Sequence, residues 1–136
     1  MEVVEHFNNP WISLKNIGDV LNKGGYLVLT TPNPKWSDSR LSLLGRGNLT
    51  MFTEKDLRVN HHVFTPWFHI VEKLLKDNGF EILEYVALYG KTKMFEKPYG
   101  GIKYPIRFVY RAIKKLIEVK DRASIGNTYG IVAKKL

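Results

Sequence analysis

One stretch restricts the fold more than any other. Asn9-Pro10 offers an N-cap with proline at the first helical position, and Trp11, Leu14, Ile17, Val20 and Leu21 then recur at helical spacing. Asn22-Lys23-Gly24-Gly25 supplies a basic stop with glycine free to take positive φ. The run 26–31 that follows is apolar and β-rich without polar alternation, as expected of a strand covered on both faces, and Pro32 and Pro34 close it. Residues 2–7 read as the tail of another buried strand. Strand, helix, strand is a βαβ crossover, and it predicts an open parallel α/β sheet with ligands bound beyond the carboxyl ends of the strands.

The remainder keeps the alternation. A short helix is expected at 38–44, and Thr53-x-x-Asp56 fits a capping box. Thr65-Pro66 opens a clearer helix with Trp67, Phe68, Val71, Leu74 and Leu75 as its stripe, Glu72 and Lys76 as an i,i+4 pair, and Asn78-Gly79 as its stop. A strand over 80–89, a glycine- and lysine-rich connection over 90–103, a basic helix over 104–120 and a last strand over 128–134 complete the chain.

A chain of 136 residues with 44% hydrophobic and 25% charged positions holds one core, so residues 1–136 are read as one domain or part of one. The absence of cysteine excludes disulfides and thiolate metal sites, and with no leader-like or spanning apolar run the expected location is cytoplasmic. The charge is uneven. Residues 91–136 carry 12 of the 21 basic residues and three acids, which makes this third +9 within an overall +8. Such a field points to an anionic neighbour, a phosphate-bearing substrate or lipid headgroups, or else to a solvated basic face.

Glu5-His6 and Pro32-Asn33 fall where the sheet would bind a ligand. One account has Glu5 capping the next helix and His6 packing beside Trp11; the other makes them site residues. Four pieces in order resemble a class I S-adenosylmethionine-dependent methyltransferase of the ubiquinone/menaquinone-biosynthesis-like type. They are Glu5-His6, Asn22-Lys23-Gly24-Gly25, Thr31-Pro32-Asn33, and His61-His62-Val63-Phe64-Thr65 followed by Leu74-Leu75-Lys76-Asp77-Asn78-Gly79-Phe80. Lys23 departs from the family's usual proline, and either His61 or His62 can be the aligned histidine. Residues 91–127 do not match and look like a basic insertion.

The resemblance implies a partial Rossmann-like methyltransferase sheet: the end of the fourth strand, the fifth, the sixth, and an antiparallel seventh between the fifth and sixth. It also implies a C-terminal portion without the glycine-rich half, because Gly24-Gly25, Gly45-x-Gly47 and Gly100-Gly101 do not stand between a strand and a helix. The expectation is therefore S-adenosylmethionine as the family's cofactor, bound weakly or not at all by this chain, which is then inactive alone. Glu5 and His6 would border the cofactor, with His6 the candidate base. Asn33, Trp36, His61 and His62 would border a small or lipid-linked methyl acceptor.

Competing functions come from other features. No metal site is expected at His61, His62 and His69, since adjacent residues of an extended segment face opposite ways and no carboxylate stands at a ligand interval. The 104–120 helix places Ile106, Val109, Tyr110, Ile113, Leu116 and Ile117 opposite Arg107, Arg111, Lys114 and Lys115. That pattern suits either a cover for the sheet or a helix lying on an anionic membrane. Aromatics nearby raise nucleic acid as a partner, but no recognition motif accompanies them. An interaction module is the non-enzymatic alternative, and an unprotected sheet edge near residues 2–31 would favour a homo-oligomer, with Val3, Val4, Leu27 and Leu29 meeting water.

Overall fold

The computed structural model describes residues 3–88, 90, 92–93 and 104–136. Tyr89 and most of the 90–103 connection lie outside the described residues. The elements are a 3₁₀ turn (Val4–His6), α1 (Pro10–Val20), β1 (Tyr26–Pro32), α2 (Ser37–Arg46), α3 (Glu54–Asn60), α4 (Phe68–Asp77), β2 (Phe80–Leu88), α5 (Tyr104–Lys120), a second 3₁₀ turn (Arg122–Ser124) and β3 (Thr128–Lys135).

The strand order is β1-β3-β2, and β3 runs antiparallel to both neighbours. β1 and β2 thus point the same way, as the resemblance implied, with the last strand inserted between them. Lys134 of β3 faces Tyr26 on one side and Glu81 on the other, and Thr128 faces Pro32 and Leu88. The lower end is clamped by reciprocal backbone bonds of 2.8 Å between Lys135 and the Gly24-Gly25 turn, where Gly24 has φ +80°.

Tyr129, Ile131 and Ala133 of β3 are buried with Leu29 of β1, Phe80 of β2, Val71 and Leu75 of α4, Leu14 of α1, and Val4. Phe68, Tyr85 and Tyr129 stack in edge and tilted contacts with centroids 4.6–6.2 Å apart, which favours one arrangement of these large side chains over a fluid one. Burial raises the hydroxyl pKa of both Tyr85 and Tyr129.

Several expectations are corrected. Residues 4–6 form a 3₁₀ turn, not the end of a strand: His6 N–H and Phe7 N–H bond back to the carbonyls of Val3 and Val4 at 3.0 and 3.2 Å. An extended segment needs a neighbour to complete its ladder, and no described strand pairs with this one, although β1 packs against it through Thr31. Val4 is buried by the chain itself and Leu29 nearly so; the residues of β1 that meet water are Tyr26 at 60% and Val28 at 66% exposure. β1 is therefore covered on one face only at its start. The helix expected from Pro66 begins at Phe68, because Tyr129 donates its hydroxyl hydrogen to the Pro66 carbonyl at 2.7 Å and Trp67 remains extended.

The helix ends follow local chemistry. Asn9 Oδ1 accepts from Ile12 N–H at 3.1 Å, which makes Asn9 the α1 cap and removes Glu5 from that role. Glu72 and Lys76 pair at 2.8 Å, and Gly79 at φ +75° lets the chain leave α4 for β2.

α5 does not cover the sheet with its apolar face, which corrects the first of the two orientations its pattern allowed. Ile106 and Leu116 are 71% and 70% exposed, whereas Glu118 is buried. The Glu118 carboxylate accepts from Ser37 Oγ at 3.1 Å, from Thr92 N–H at 3.0 Å and from Thr92 Oγ1, so it joins α5 to the start of α2 and to the segment after β2. These hydrogen bonds hold Glu118 inside, and they leave Ile106, Val109, Ile113 and Leu116 exposed.

Thr53 and Asp56 complete the capping box of α3, and the Thr53 hydroxyl, donating to Asp56 at 2.5 Å, is the largest influence holding that carboxyl below its ordinary value of 3.8. A depressed folded-state value means stability that is whole above 3.8 and lost as pH falls through the folded value. Thr53→Ala should cost about 1 kcal/mol at neutral pH in urea denaturation. The difference from the parent should shrink in the same measurement as Asp56 protonates.

Candidate functional site

Three separated segments meet at the carboxyl end of β1. The Glu5 carbonyl accepts from Val63 N–H at 2.9 Å and Phe64 N–H at 3.1 Å, which fastens the first turn to the segment after α3. The Glu5 side chain is fully buried, and its Oε2 accepts from Thr31 Oγ1 at 2.8 Å. Oε1 has no hydrogen-bond partner; it lies 3.6 Å from His6 Nε2, an ion-pair distance too long for a hydrogen bond.

The histidines are set by backbone. His6 Nδ1 stands 3.3 Å from the His61 carbonyl, and His62 Nδ1 stands 2.6 Å from the Met51 carbonyl. A carbonyl only accepts, so in these contacts each Nδ1 is the donor, and each ring's other nitrogen, Nε2, is left for another partner. The two rings meet edge to face with centroids 5.1 Å apart. Both carbonyls belong to non-glycine residues in the left-handed region, Met51 at φ 68° and His61 at φ 55°. Two such backbones aiming their oxygens at two imidazoles are local strain concentrated at one place, the pattern expected where function fixes geometry.

One ligand-capable atom each from Glu5, His6 and His62 lies within 4.8 Å of the others. The set can take up a proton, pass it between rings or hold a cation. Spacing in the sequence did not disclose it, because the histidine–carboxylate neighbours come from residues 5–6 and 62. His61 contributes its carbonyl and leaves its ring exposed; His69 is exposed beside Trp67, with ring centroids 6.4 Å apart.

Asn33 and Trp36 go elsewhere. Asn33 is buried, donates its amide hydrogens to the carbonyls of Ala123 and Gly126 at 2.8 and 3.0 Å, and accepts from Lys35 N–H at 3.0 Å. Trp36 lines a cavity of about 520 Å³, with Asp38 of α2, Gly90, Thr92 and Lys93 after β2, and Arg107, Tyr110, Arg111 and Lys114 of α5. Thr31, Thr92 and Glu118 were not expected as site or framework residues. Glu118 had one signal, being one of three acids in an otherwise basic third of the chain.

A three-stranded antiparallel sheet with its last strand in the middle and helices packed around it, and polar side chains gathered at the carboxyl end of β1, make an α/β arrangement. The methyltransferase domain family model matches residues 1–85, and the chain belongs to that family. A search of curated proteins returns no match. Among solved structures the fold is similar to that of a SAM-dependent methyltransferase from Archaeoglobus fulgidus, with 18% identity and a TM-score of 0.58 over 98% of this chain. The chain spans 56% of that protein's chain.

Thr31→Val keeps the shape of the side chain and removes the donor to a buried carboxylate oxygen. Denaturant unfolding should show a loss of about 1.5–3 kcal/mol, the range for a hydrogen bond to a charged group.

Proposed function

We propose that the chain forms the acceptor-side half of an S-adenosylmethionine-dependent methyltransferase and is inactive without the half that holds the cofactor's nucleoside. The observation that carries this reading is the Glu5–Thr31–His6–His62 cluster at the carboxyl end of β1, within a chain of the methyltransferase domain family.

The residues present fit one end of the cofactor. Glu5 Oε1 is a buried carboxylate oxygen without a hydrogen-bond partner, suited to accept from a cationic group such as a methionyl ammonium. Among the described residues no Gly-x-Gly turn stands between a strand and a helix, so the nucleoside end finds no cradle. When bound, the cofactor supplies a methyl group activated on a sulfonium.

His6 acts on the acceptor. Its Nδ1 hydrogen is committed to the His61 carbonyl, which leaves Nε2 to take a proton from an acceptor hydroxyl, and Glu5 Oε1 faces the charge the ring then carries. His62, fixed on the Met51 carbonyl, limits rotation of His6 by edge contact. Trp36 and the cavity around it hold the acceptor's remainder.

Among the described residues no helix is long and apolar enough to cross a membrane. The exposed apolar side of α5 supports a second reading, in which the chain lies on an anionic membrane surface and takes a lipid-linked acceptor.

Calorimetry of the chain should show no saturable S-adenosylmethionine binding up to roughly millimolar ligand, a range corresponding to about −4 kcal/mol. A micromolar site would sink the half-enzyme reading. In the enzyme completed by a glycine-rich half, His6→Gln should lower kcat by roughly 10²–10⁴-fold.

The β1 edge opposite β3 has no described strand beside it, and a groove of about 290 Å³ lined by Val3, Phe7, Leu27 and Val28 opens next to it. The proposal is that a second copy covers this edge in the isolated chain. Sedimentation equilibrium at roughly tens of micromolar should report a dimer or larger. Val28→Lys, at an exposed position, should return it to monomer without loss of fold; a monomeric parent would exclude this contact.

A further inference from the structure

The Glu5–His6–His62 cluster leaves one electron-pair donor open on each of its side chains. Glu5 Oε2 is taken by the Thr31 hydroxyl at 2.8 Å, while Oε1, on a side chain with no exposed surface, has no hydrogen-bond partner. His6 Nδ1 and His62 Nδ1 are taken by the carbonyls of His61 and Met51 at 3.3 and 2.6 Å, so Nε2 is the nitrogen left over on each ring. One ligand-capable atom from each of the three residues lies within 4.8 Å of the others.

Hydrogen bonding does not close this set. A carboxylate oxygen accepts, and an imidazole whose Nδ1 donates offers a lone pair at Nε2 unless it is protonated. The Glu5–His6 distance of 3.6 Å is too long for a hydrogen bond that a proton between them would make. A single cation that accepts electron pairs answers all three side chains at once. Bonds of about 2.1 Å from one ion to nitrogen and oxygen set tetrahedral neighbours about 3.4 Å apart. The 3.6 Å between Glu5 Oε1 and His6 Nε2 is already close to that value, and small side-chain rotations bring the remaining separations to it.

The surroundings are those a bound ion requires. A ligating imidazole donates its other N–H to a carbonyl or carboxylate, and a ligating carboxylate is itself hydrogen-bonded. All three side chains are anchored in this way, by His61, Met51 and Thr31. Two of these anchors are non-glycine residues in the left-handed region, with φ 55° and 68°, so local strain falls where the rings are oriented. The sequence argument against a metal concerned His61, His62 and His69. This cluster takes only His62 from that group, and its carboxylate comes from the 3₁₀ turn at Val4–His6.

We propose that Glu5 Oε1, His6 Nε2 and His62 Nε2 bind a divalent first-row transition metal ion of the Zn²⁺ kind. Two imidazoles to one carboxylate favour such an ion over Mg²⁺ or Ca²⁺, which take oxygen ligands. Three protein ligands leave a position open, and solvent reaches it because the His6 side chain is 41% exposed. The site stands on these residues and does not depend on the methyltransferase reading. The ion takes the lone pair and the carboxylate oxygen that proton uptake and a cofactor's ammonium would use, so it is an alternative occupant of the cluster.

Tag-free protein is titrated with Zn²⁺ by calorimetry in a non-coordinating buffer, and with Co²⁺ by visible absorption. One saturable site per chain of roughly micromolar affinity is expected, with Co²⁺ bands that Zn²⁺ displaces and no comparable binding of Mg²⁺. Glu5→Gln, which keeps an oxygen for Thr31, and His62→Gln should each weaken Zn²⁺ at least about tenfold, and the exposed His69→Gln should not. Should a variant fail to fold, ring-nitrogen NMR of the parent decides: Zn²⁺ should move the Nε2 resonances of His6 and His62 and leave those of His61 and His69 in place. The proposal is overturned if Zn²⁺ shows no saturable binding below roughly millimolar concentration, if Mg²⁺ binds as tightly, if Glu5→Gln and His62→Gln bind like the parent, or if the resonances of His61 or His69 move in place of those of His6 and His62. Zn²⁺ binding by the chain without methyl transfer in the metal-free completed enzyme would keep the site and remove the methyltransferase reading; methyl transfer without any Zn²⁺ binding would do the reverse.

Discussion

The sheet depends on its last strand. β1 and β2 each pair with β3 and not with each other, so every ladder bond in the described sheet waits for residues 128–135 to arrive between them. The pairing closes a loop of about a hundred residues from Tyr26 to Lys134. β3 also brings Tyr129, Ile131 and Ala133 into the core and, through the Tyr129 hydroxyl, stops α4 from starting at Pro66. One strand therefore sets the sheet order, the core and a helix boundary.

Glu5 does for the site what β3 does for the sheet. Its carbonyl receives two amides from residues 63 and 64, and its carboxylate receives the Thr31 hydroxyl, so two distant segments converge on one residue. A fully buried carboxylate is costly unless its oxygens are occupied, and one of them is left without a hydrogen bond. The cost is local and sits beside two imidazoles held by left-handed backbones, and that coincidence separates this cluster from an ordinary buried polar contact.

α5 shows how one buried polar contact overrides a hydrophobic pattern. Its apolar residues would ordinarily turn inward, yet Glu118 and Lys114 are the side chains taken into the structure, and Ile106 and Leu116 are left outside. The reversal places cations toward the strand ends and an apolar surface toward solvent.

Local signals in the sequence determined most of the helices and their ends and the three strands of the described sheet. The Asn9-Pro10 start, the Thr53–Asp56 box, the Glu72–Lys76 pair and the Asn78-Gly79 stop act over a single turn, and the structure contains them all. The place of the last strand was legible through the order of family-like motifs. Only the tertiary structure decided that residues 4–6 coil instead of pairing, that His62 joins His6 while His61 lends a carbonyl, and that Asn33 closes a turn while Trp36 faces the basic cavity. The physical reason is range. Caps and periodicities are settled by neighbours within about four residues, whereas a ladder partner, a buried carboxylate's donors and a cluster of cations are supplied by segments the chain brings together only on folding.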